Sequence, residues 1–158
     1  MPRPIKWRKV GFIPEIRHFV PSDVGQSEVD ENILHIEELE AIRLKDLEGL
    51  EQEDCAVKME VSRPTFQRIL NSGRQKVADA LINGKAIRIE GGIYTQNICQ
   101  VRCDDCGKEW KESFENYEKM QEGTYQCPKC NSKKVLCFNN KDRRLCKGNC
   151  WRRGRMQE

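Results

Sequence analysis

Apolar side chains recur with a helical period from Ile36 through Leu39, Ile42 and Leu47, and again at Leu50, Ala56, Val57 and Met59, which predicts two amphipathic helices. A third begins at a sharp boundary. Ser62 is placed to cap the first free amide groups, and Pro64 sits in the first turn, where its missing N–H costs no helical hydrogen bond. Behind them Phe66, Ile69, Leu70, Gly73, Val77, Ala80 and Leu81 form one stripe, and Asn83-Gly84 supplies a left-handed stop. The spacing therefore predicts a helix over residues 63–82. Farther along, residues 93–102 and 133–138 alternate as strands do, whereas Trp110, Phe114, Tyr117 and Met120 recur at helical spacing and predict a short helix or arm between them.

The connection Glu60-Val61-Ser62 is short, with small or apolar residues where two crossing helices must meet, which is the pattern of a helix-turn-helix. Ala56 permits close approach, Met59 and Val61 bracket the turn, and Phe66 and Ile69 point inward. The outward set follows as Ser62, Arg63, Pro64, Gln67, Arg68 and Asn71. The two arginines, Gln67 and Asn71 suit guanine and adenine edges in a major groove. Ser62 and Thr65 suit phosphate. Glu60 departs from the pattern, because it falls where a left-handed residue, usually Gly, is expected, at a cost of roughly 1 kcal/mol. An ordinary three-helix domain with a basic face would share the charge but not the agreement of turn, cap, small residue and exposed donors.

Charge changes this picture by its distribution. The net is only +3, yet residues 27–60 carry twelve acidic and three basic side chains, while residues 1–20 carry five basic and one acidic, residues 62–90 six and two, and residues 141–158 seven and two. An acidic middle between basic segments is what a folded binder needs to meet a polyanion on chosen faces. Pro2-Arg3-Pro4 with Lys6, Arg8 and Lys9 forms a stiff cationic arm suited to a minor groove, or else a basic tail adding nonspecific phosphate attraction. Trp7 and Phe12 suggest that part of this segment folds back on the helices.

The run ELEAIRLKDLEGLEQEDCAVKMEVSRPTFQRILNSGRQKVADALINGKAIRIEGG and the opening MPRPIKWRKVGFIPE resemble the prokaryotic family of predicted DNA-binding proteins called domain of unknown function 134, over about residues 1–92. The helical part is similar to region four of bacterial sigma factors. The resemblance implies a winged or sigma-like helix-turn-helix and a role in transcription regulation, and it supplies neither a target nor an effector.

Eight of the nine cysteines fall after residue 98, and in a chain with no export signal such clusters are read first as metal ligands. Cys103-Asp-Asp-Cys106 and Cys127-Pro-Lys-Cys130 are paired CxxC units with twenty residues between them. Each lets one tight turn present two sulfurs to an ion, and Gly107 and Asn131 tolerate the left-handed backbone that follows. Two such turns make a closed tetrahedral site of the structural-zinc kind, with rubredoxin-like iron as the alternative metal. A domain of this size has too little core to stand without its ion. Cys99, Cys137, Cys146 and Cys150 match the ligand number of a second metal site, with a reversible redox disulfide or four unrelated thiols as the other readings. Arg143, Arg144, Lys147, Trp151, Arg152, Arg153 and Arg155 surround the last two as a basic aromatic tail that suits a nucleic-acid backbone. Cys55 is expected in the helical core, and His18 and His35 at the surface or in caps.

The fold class expected is α+β: a basic arm over 1–30, an all-α helix-turn-helix domain over 31–92, a β zinc ribbon over 93–140 and a basic tail over 141–158. With 37% hydrophobic and 34% charged residues the core is modest and no large enzyme scaffold fits. No histidine lies in a catalytic context and four cysteines leave no open coordination position, so an enzyme is not expected. No apolar run reaches the length of a bilayer span, and a cytoplasmic location is expected. The expected partner is double-stranded DNA, bound by a regulator of transcription. The alternatives are an adaptor docking on RNA polymerase and a metal or redox sensor whose cysteines control the helices. A homodimer is expected to the extent that one recognition helix covers half a typical site.

Overall fold

The computed structural model describes residues 5–25, 28–96, 98–113, 115–116, 119, 122–139 and 144–145. They divide into two compact units, one of Arg8–Tyr94 and one that starts at Thr95 and also takes in residues 5–7. Among the described residues, no helix is long and apolar enough to cross a membrane.

In the first unit, β1 (Arg8–Lys9), β2 (His18–Phe19) and β3 (Glu31–Leu34) lead into α1 (Ile36–Ile42), a π-helical turn (Arg43–Leu47), α2 (Gln52–Met59) and α3 (Arg63–Asn83), and β4 (Ala86–Ile89) follows. β4 is the central strand of a three-stranded sheet, antiparallel to β2 and parallel to β3, with Ile87 opposite both Phe19 and Asn32. The helices are thus the crossover between two parallel strands, and this unit is mixed rather than all-α. Period-two reasoning misses β3 because its two inward positions, Asn32 and Leu34, differ in polarity. The Asn32 amide donates to the Lys76 carbonyl at 3.0 Å and to Asp79 at 2.8 Å, so the polar side chain belongs to the inner face.

The third helix starts and stops on its local signals. Ser62 Oγ accepts from the Thr65 N–H at 3.4 Å, Pro64 occupies the first turn, and Gly84 closes the helix in a left-handed conformation at φ 65°. Ala41, Leu44, Cys55, Ala56, Met59, Phe66, Ile69 and Leu70 form one buried cluster, and Val10, Leu34, Ile36 and Ile89 form another. The apolar pattern fails at three positions. Val57 is 74% exposed because, at ~100° per residue, it points away from the face shared by Cys55, Ala56 and Met59. Leu81, at the margin of the α3 stripe, is 75% exposed. Leu47 ends the π-helical turn, whose wider winding rotates it off the α1 stripe to 81% exposure.

Three carboxylates of α1 are buried, and each holds a different part of the chain. Glu38 accepts from Ser72 at 2.7 Å, Lys76 at 2.8 Å and the His35 N–H at 2.9 Å. Glu40 binds Arg43 and the Gly11 N–H, and Glu37 binds the Ile93 N–H at 3.2 Å and faces Arg8 at 3.6 Å. With Val10 only 1% exposed, residues 8–19 are built into this unit and are not a free arm. Phe12 is 51% exposed, and Trp7 belongs to the other unit.

Acid should weaken this unit. Lys85, Asn32 and Asn83 bond Asp79 and hold its carboxyl at about 2, against an ordinary 3.8. Burial pushes Glu38 upward, but Lys76, Ser72 and the His35 N–H outweigh it and hold the group below its ordinary value. A depressed carboxylate contributes stability that is complete above its unfolded value and lost as pH falls through its folded value. Urea melts are therefore expected to show a loss between about pH 4 and pH 2, and a shallower one in Asp79→Asn. Equal acid sensitivity in the two proteins would remove Asp79 from the linkage.

In the second unit, β5 (Tyr94–Thr95) marks the border, and β6 (Ile98–Cys103), β7 (Glu109–Ser113), β8 (Val135–Asn139) and β9 (Arg144–Leu145) form an antiparallel sheet in the order β7-β6-β8-β9. Trp110 pairs with Val101 in β7, so it lies on a strand and not on the helix its spacing predicted. The reason is Glu112, a charged residue on the buried face, which hides the period-two pattern of Glu109–Ser113. Phe114, Tyr117 and Met120 lie outside the described residues.

Candidate nucleic-acid interface and candidate metal centre

In the first unit, α2 ends at Glu60, which adopts the left-handed conformation with φ 54° and ψ 41°. Its N–H bonds the Val57 carbonyl at 3.1 Å, and the Val61 N–H bonds the Ala56 carbonyl at 3.0 Å. The chain then enters α3 within two residues. Because Phe66, Ile69, Leu70 and Gly73 are buried, Ser62, Arg63, Pro64, Gln67, Arg68 and Asn71 are left exposed, and Thr65 half-buried. Gly73 packs on α1, where a Cβ would come within 3.1 Å of the Glu38 Cβ. The donors are partly organised already: Arg63 pairs with Glu53 at 2.9 Å and its Nε donates to Gln52 at 3.5 Å, and Arg68 donates to Thr65 at 3.3 Å. Sequence reasoning missed Glu53 and Gln52, because only the turn brings the start of α2 to the start of α3. Glu51, Glu53 and Asp54 make that start acidic, so a polyanion would find its cations on α3 and on Lys58.

Of the predicted arm, Arg8 faces Glu37 with its side chain only 22% exposed, and Lys6 is exposed. Arg3 lies outside the described residues.

In the second unit, the sulfurs of Cys103, Cys106, Cys127 and Cys130 all lie within 4.8 Å of one another. Cys103 and Cys130 are 3.5 Å apart, and Cys106 and Cys127 3.7 Å. A tetrahedron with metal–sulfur bonds of about 2.3 Å has edges of about 3.8 Å, so the donor set fits such an ion. The two turns repeat one design. The Gly107 N–H bonds the Cys103 carbonyl and the Asn131 N–H bonds the Cys127 carbonyl, each at 2.9 Å, and both donors have left-handed backbone, at φ 70° and 57°. The N–H of Cys106, with the Cys130 thiol and the N–H of Asp105, lowers the Cys103 thiol, while the three neighbouring thiols raise that of Cys130, as when close sulfurs share protons. Asp105 joins the turns through Ser132 and through Lys134 at 3.2 Å. No spacing rule flagged that link.

Cys99 and Cys137 are buried on the same face of the sheet as Val101 and Cys103. Cys146 and Cys150, which would complete a second site, lie outside the described residues, as do the side chains of the basic tail. Cys55 is fully buried in the helical core, and burial pushes its thiol upward. His18 pairs with Glu31 at 3.0 Å, and His35 precedes α1 as its N-cap.

Comparison with known proteins extends the picture. The family described as "Protein of unknown function DUF134" matches residues 1–97. A UPF0251 protein of Moorella thermoacetica is 52% identical over 158 residues, covering 100% of this chain and 98% of the relative. A UPF0251 protein of Clostridium botulinum strain 657 is 50% identical over 150 residues, covering 94% and 92%. No solved structure matches the chain. With a family match over more than half its length and relatives aligned almost end to end, the chain belongs to the DUF134 family, alongside the UPF0251 proteins.

Proposed function

We propose that this protein is a sequence-specific binder of double-stranded DNA that regulates transcription through a helix-turn-helix formed by α2 and α3, with a structural zinc ion in the second unit. The observation that carries this reading is the exposed donor stripe Arg63, Gln67, Arg68 and Asn71 on a helix whose opposite side is buried at Phe66, Ile69, Leu70 and Gly73 and whose entry turn is left-handed at Glu60. Arg68 and Arg63 have the fork geometry for guanine, Gln67 and Asn71 match adenine, and Ser62 and Thr65 reach for phosphate. Zinc fits the second unit because four thiolates at tetrahedral separation close the coordination sphere, leaving no position for a reacting water. The sequence resemblance to region four of sigma factors concerns this helical part alone, and a sheet accompanies it. On this reading the protein binds rather than catalyses, and it acts in the cytoplasm.

Selecting bound duplexes from a random pool would supply the operator. Arg68→Ala is then expected to weaken binding by about 1–3 kcal/mol, roughly 5- to 150-fold, and to relax selectivity at one base position. Unchanged affinity and selectivity would reject this use of α3.

A second reading has one observation in its favour. Val57 stands exposed on α2 among Glu53, Asp54 and Lys58, a surface suited to a protein more than to a polyanion. On that reading the domain is an adaptor docking on RNA polymerase, and Val57→Asp abolishes function while duplex binding survives. A homodimer would bring two α3 helices to one operator, and sedimentation with and without the selected duplex measures it.

A further inference from the structure

Glu112 is the penultimate residue of β7, across from Cys99, and is only 4% exposed. Its Oε1 accepts from the Trp7 indole at 2.9 Å, the Asn116 amide at 3.0 Å and the Ser113 N–H at 3.0 Å. Its Oε2 accepts from the Trp110 indole at 3.1 Å and the Tyr125 hydroxyl at 3.2 Å. All five partners are neutral, and four of them are N–H groups that can only donate. A buried carboxylate is costly to maintain unless hydrogen bonds replace its water, and here five converge on it.

These partners connect two distant parts of the chain. Trp110 and Tyr125 pack against the buried cluster that contains Cys103 and Cys127. Tyr125 stands two residues before Cys127, and Trp110 four after Cys106. Trp7, by contrast, comes from 105 residues away, and it belongs to this unit while Arg8 belongs to the other.

We propose that Glu112 is a clamp that seats the N-terminal segment on the cysteine unit, and that a metal ion on Cys103, Cys106, Cys127 and Cys130 controls whether the clamp is closed. The proposal rests on the metal-centre reading above and extends it. The ion fixes both CxxC turns, and so it fixes the neighbouring positions of Trp110 and Tyr125. Without it the cysteine unit loses its fold, Trp110 and Tyr125 leave the carboxylate, water replaces them, and Trp7 is released. Lys6 precedes Trp7 in sequence, so metal occupancy decides whether this cation is held in place or free on a flexible end. The adjacent Arg8 is held by Glu37 in the other unit, so release begins before residue 8.

The test uses the full chain labelled with nitrogen-15, whose tryptophans are Trp7, Trp110 and Trp151. Indole resonances are assigned with Trp7→Phe and Trp110→Phe, and bound zinc is counted by metal analysis. In zinc-loaded protein the Trp7 indole N–H should exchange slowly with water, and addition of EDTA should speed that exchange at least tenfold. Glu112→Gln should speed it likewise while zinc stays bound, because a glutamine must turn its NH2 toward donors on one side. Trp7→Phe, which keeps the carboxylate, should retain zinc and become cleavable by trypsin after Lys6 at the rate of metal-free protein. Failure to take up zinc would overturn the metal centre and with it the metal dependence of the clamp. Zinc uptake with Trp7 exchange and Lys6 cleavage unaffected by Glu112→Gln, Trp7→Phe and EDTA would overturn the clamp alone.

Discussion

Cys127→Ser, or chelation of the metal, is expected to unfold the cysteine unit and leave residues 8–94 folded. Among the described residues, the buried cluster of that unit consists of Cys99, Val101, Cys103, Cys127, Val135 and Cys137, so valines are its only aliphatic members there and two of its thiols are candidate ligands. So small a core cannot offset the entropy of ordering the strands. A structural zinc site contributes about 10–16 kcal/mol at neutral pH, as large as the whole stability of an ordinary domain. The helical unit needs no such ion, because its core of Leu44, Met59, Phe66, Ile69 and Leu70 is closed by its own helices. The check is a thermal melt followed by far-ultraviolet circular dichroism for α3 and by tryptophan fluorescence for Trp7 and Trp110. With EDTA the fluorescence transition should disappear while the helical one persists. Loss of both together would show that the two units fold as one.

Gly92→Ala should be the most damaging single methyl in the helical unit, costing about 2–4 kcal/mol. Gly92 has φ 101°, which a side chain adopts at a cost of roughly 1 kcal/mol or more. Its Cβ would also stand 1.9 Å from Glu37 Oε2, inside van der Waals contact, and overpacking of a buried site adds about 1–3 kcal/mol. The carboxylate cannot simply swing aside, since Glu37 also receives the Ile93 N–H and faces Arg8. Gly84→Ala is the control: it too has positive φ, at 65°, but nothing lies within 4 Å of its Cβ, so only the backbone cost remains. Denaturant midpoints measure both, and equal losses would show that the contact with Glu37 is dispensable.

These two glycines mark the limit of what local patterns reveal. Gly84 stops a helix, and an Asn-Gly pair after an apolar stripe is enough to predict it. Gly92 is required by a carboxylate 55 residues earlier, and no periodicity expresses that. The same division runs through the candidate interface. That Arg63, Gln67, Arg68 and Asn71 face outward follows from the helical period and the buried partners between them, while the pairing of Arg63 with Glu53 depends on how the turn folds α2 back. In the candidate metal centre, CxxC spacing with Gly107 or Asn131 next in line specifies each turn. It says nothing of the Asp105 bridge that joins them.

From its sequence alone the chain determined its third helix with cap and stop, the exposed donors on that helix, and two thiolate turns, because each is set by residues within one or two turns of backbone. Only tertiary structure decided that a three-stranded sheet accompanies the helices, that Trp110 lies on a strand, and that Arg8 faces Glu37 while its neighbour Trp7 joins the cysteine unit. Each of those outcomes turns on a polar group inside the fold, half-buried Asn32 or buried Glu37 and Glu112. A side chain that reads as surface along the sequence becomes core once distant donors satisfy it.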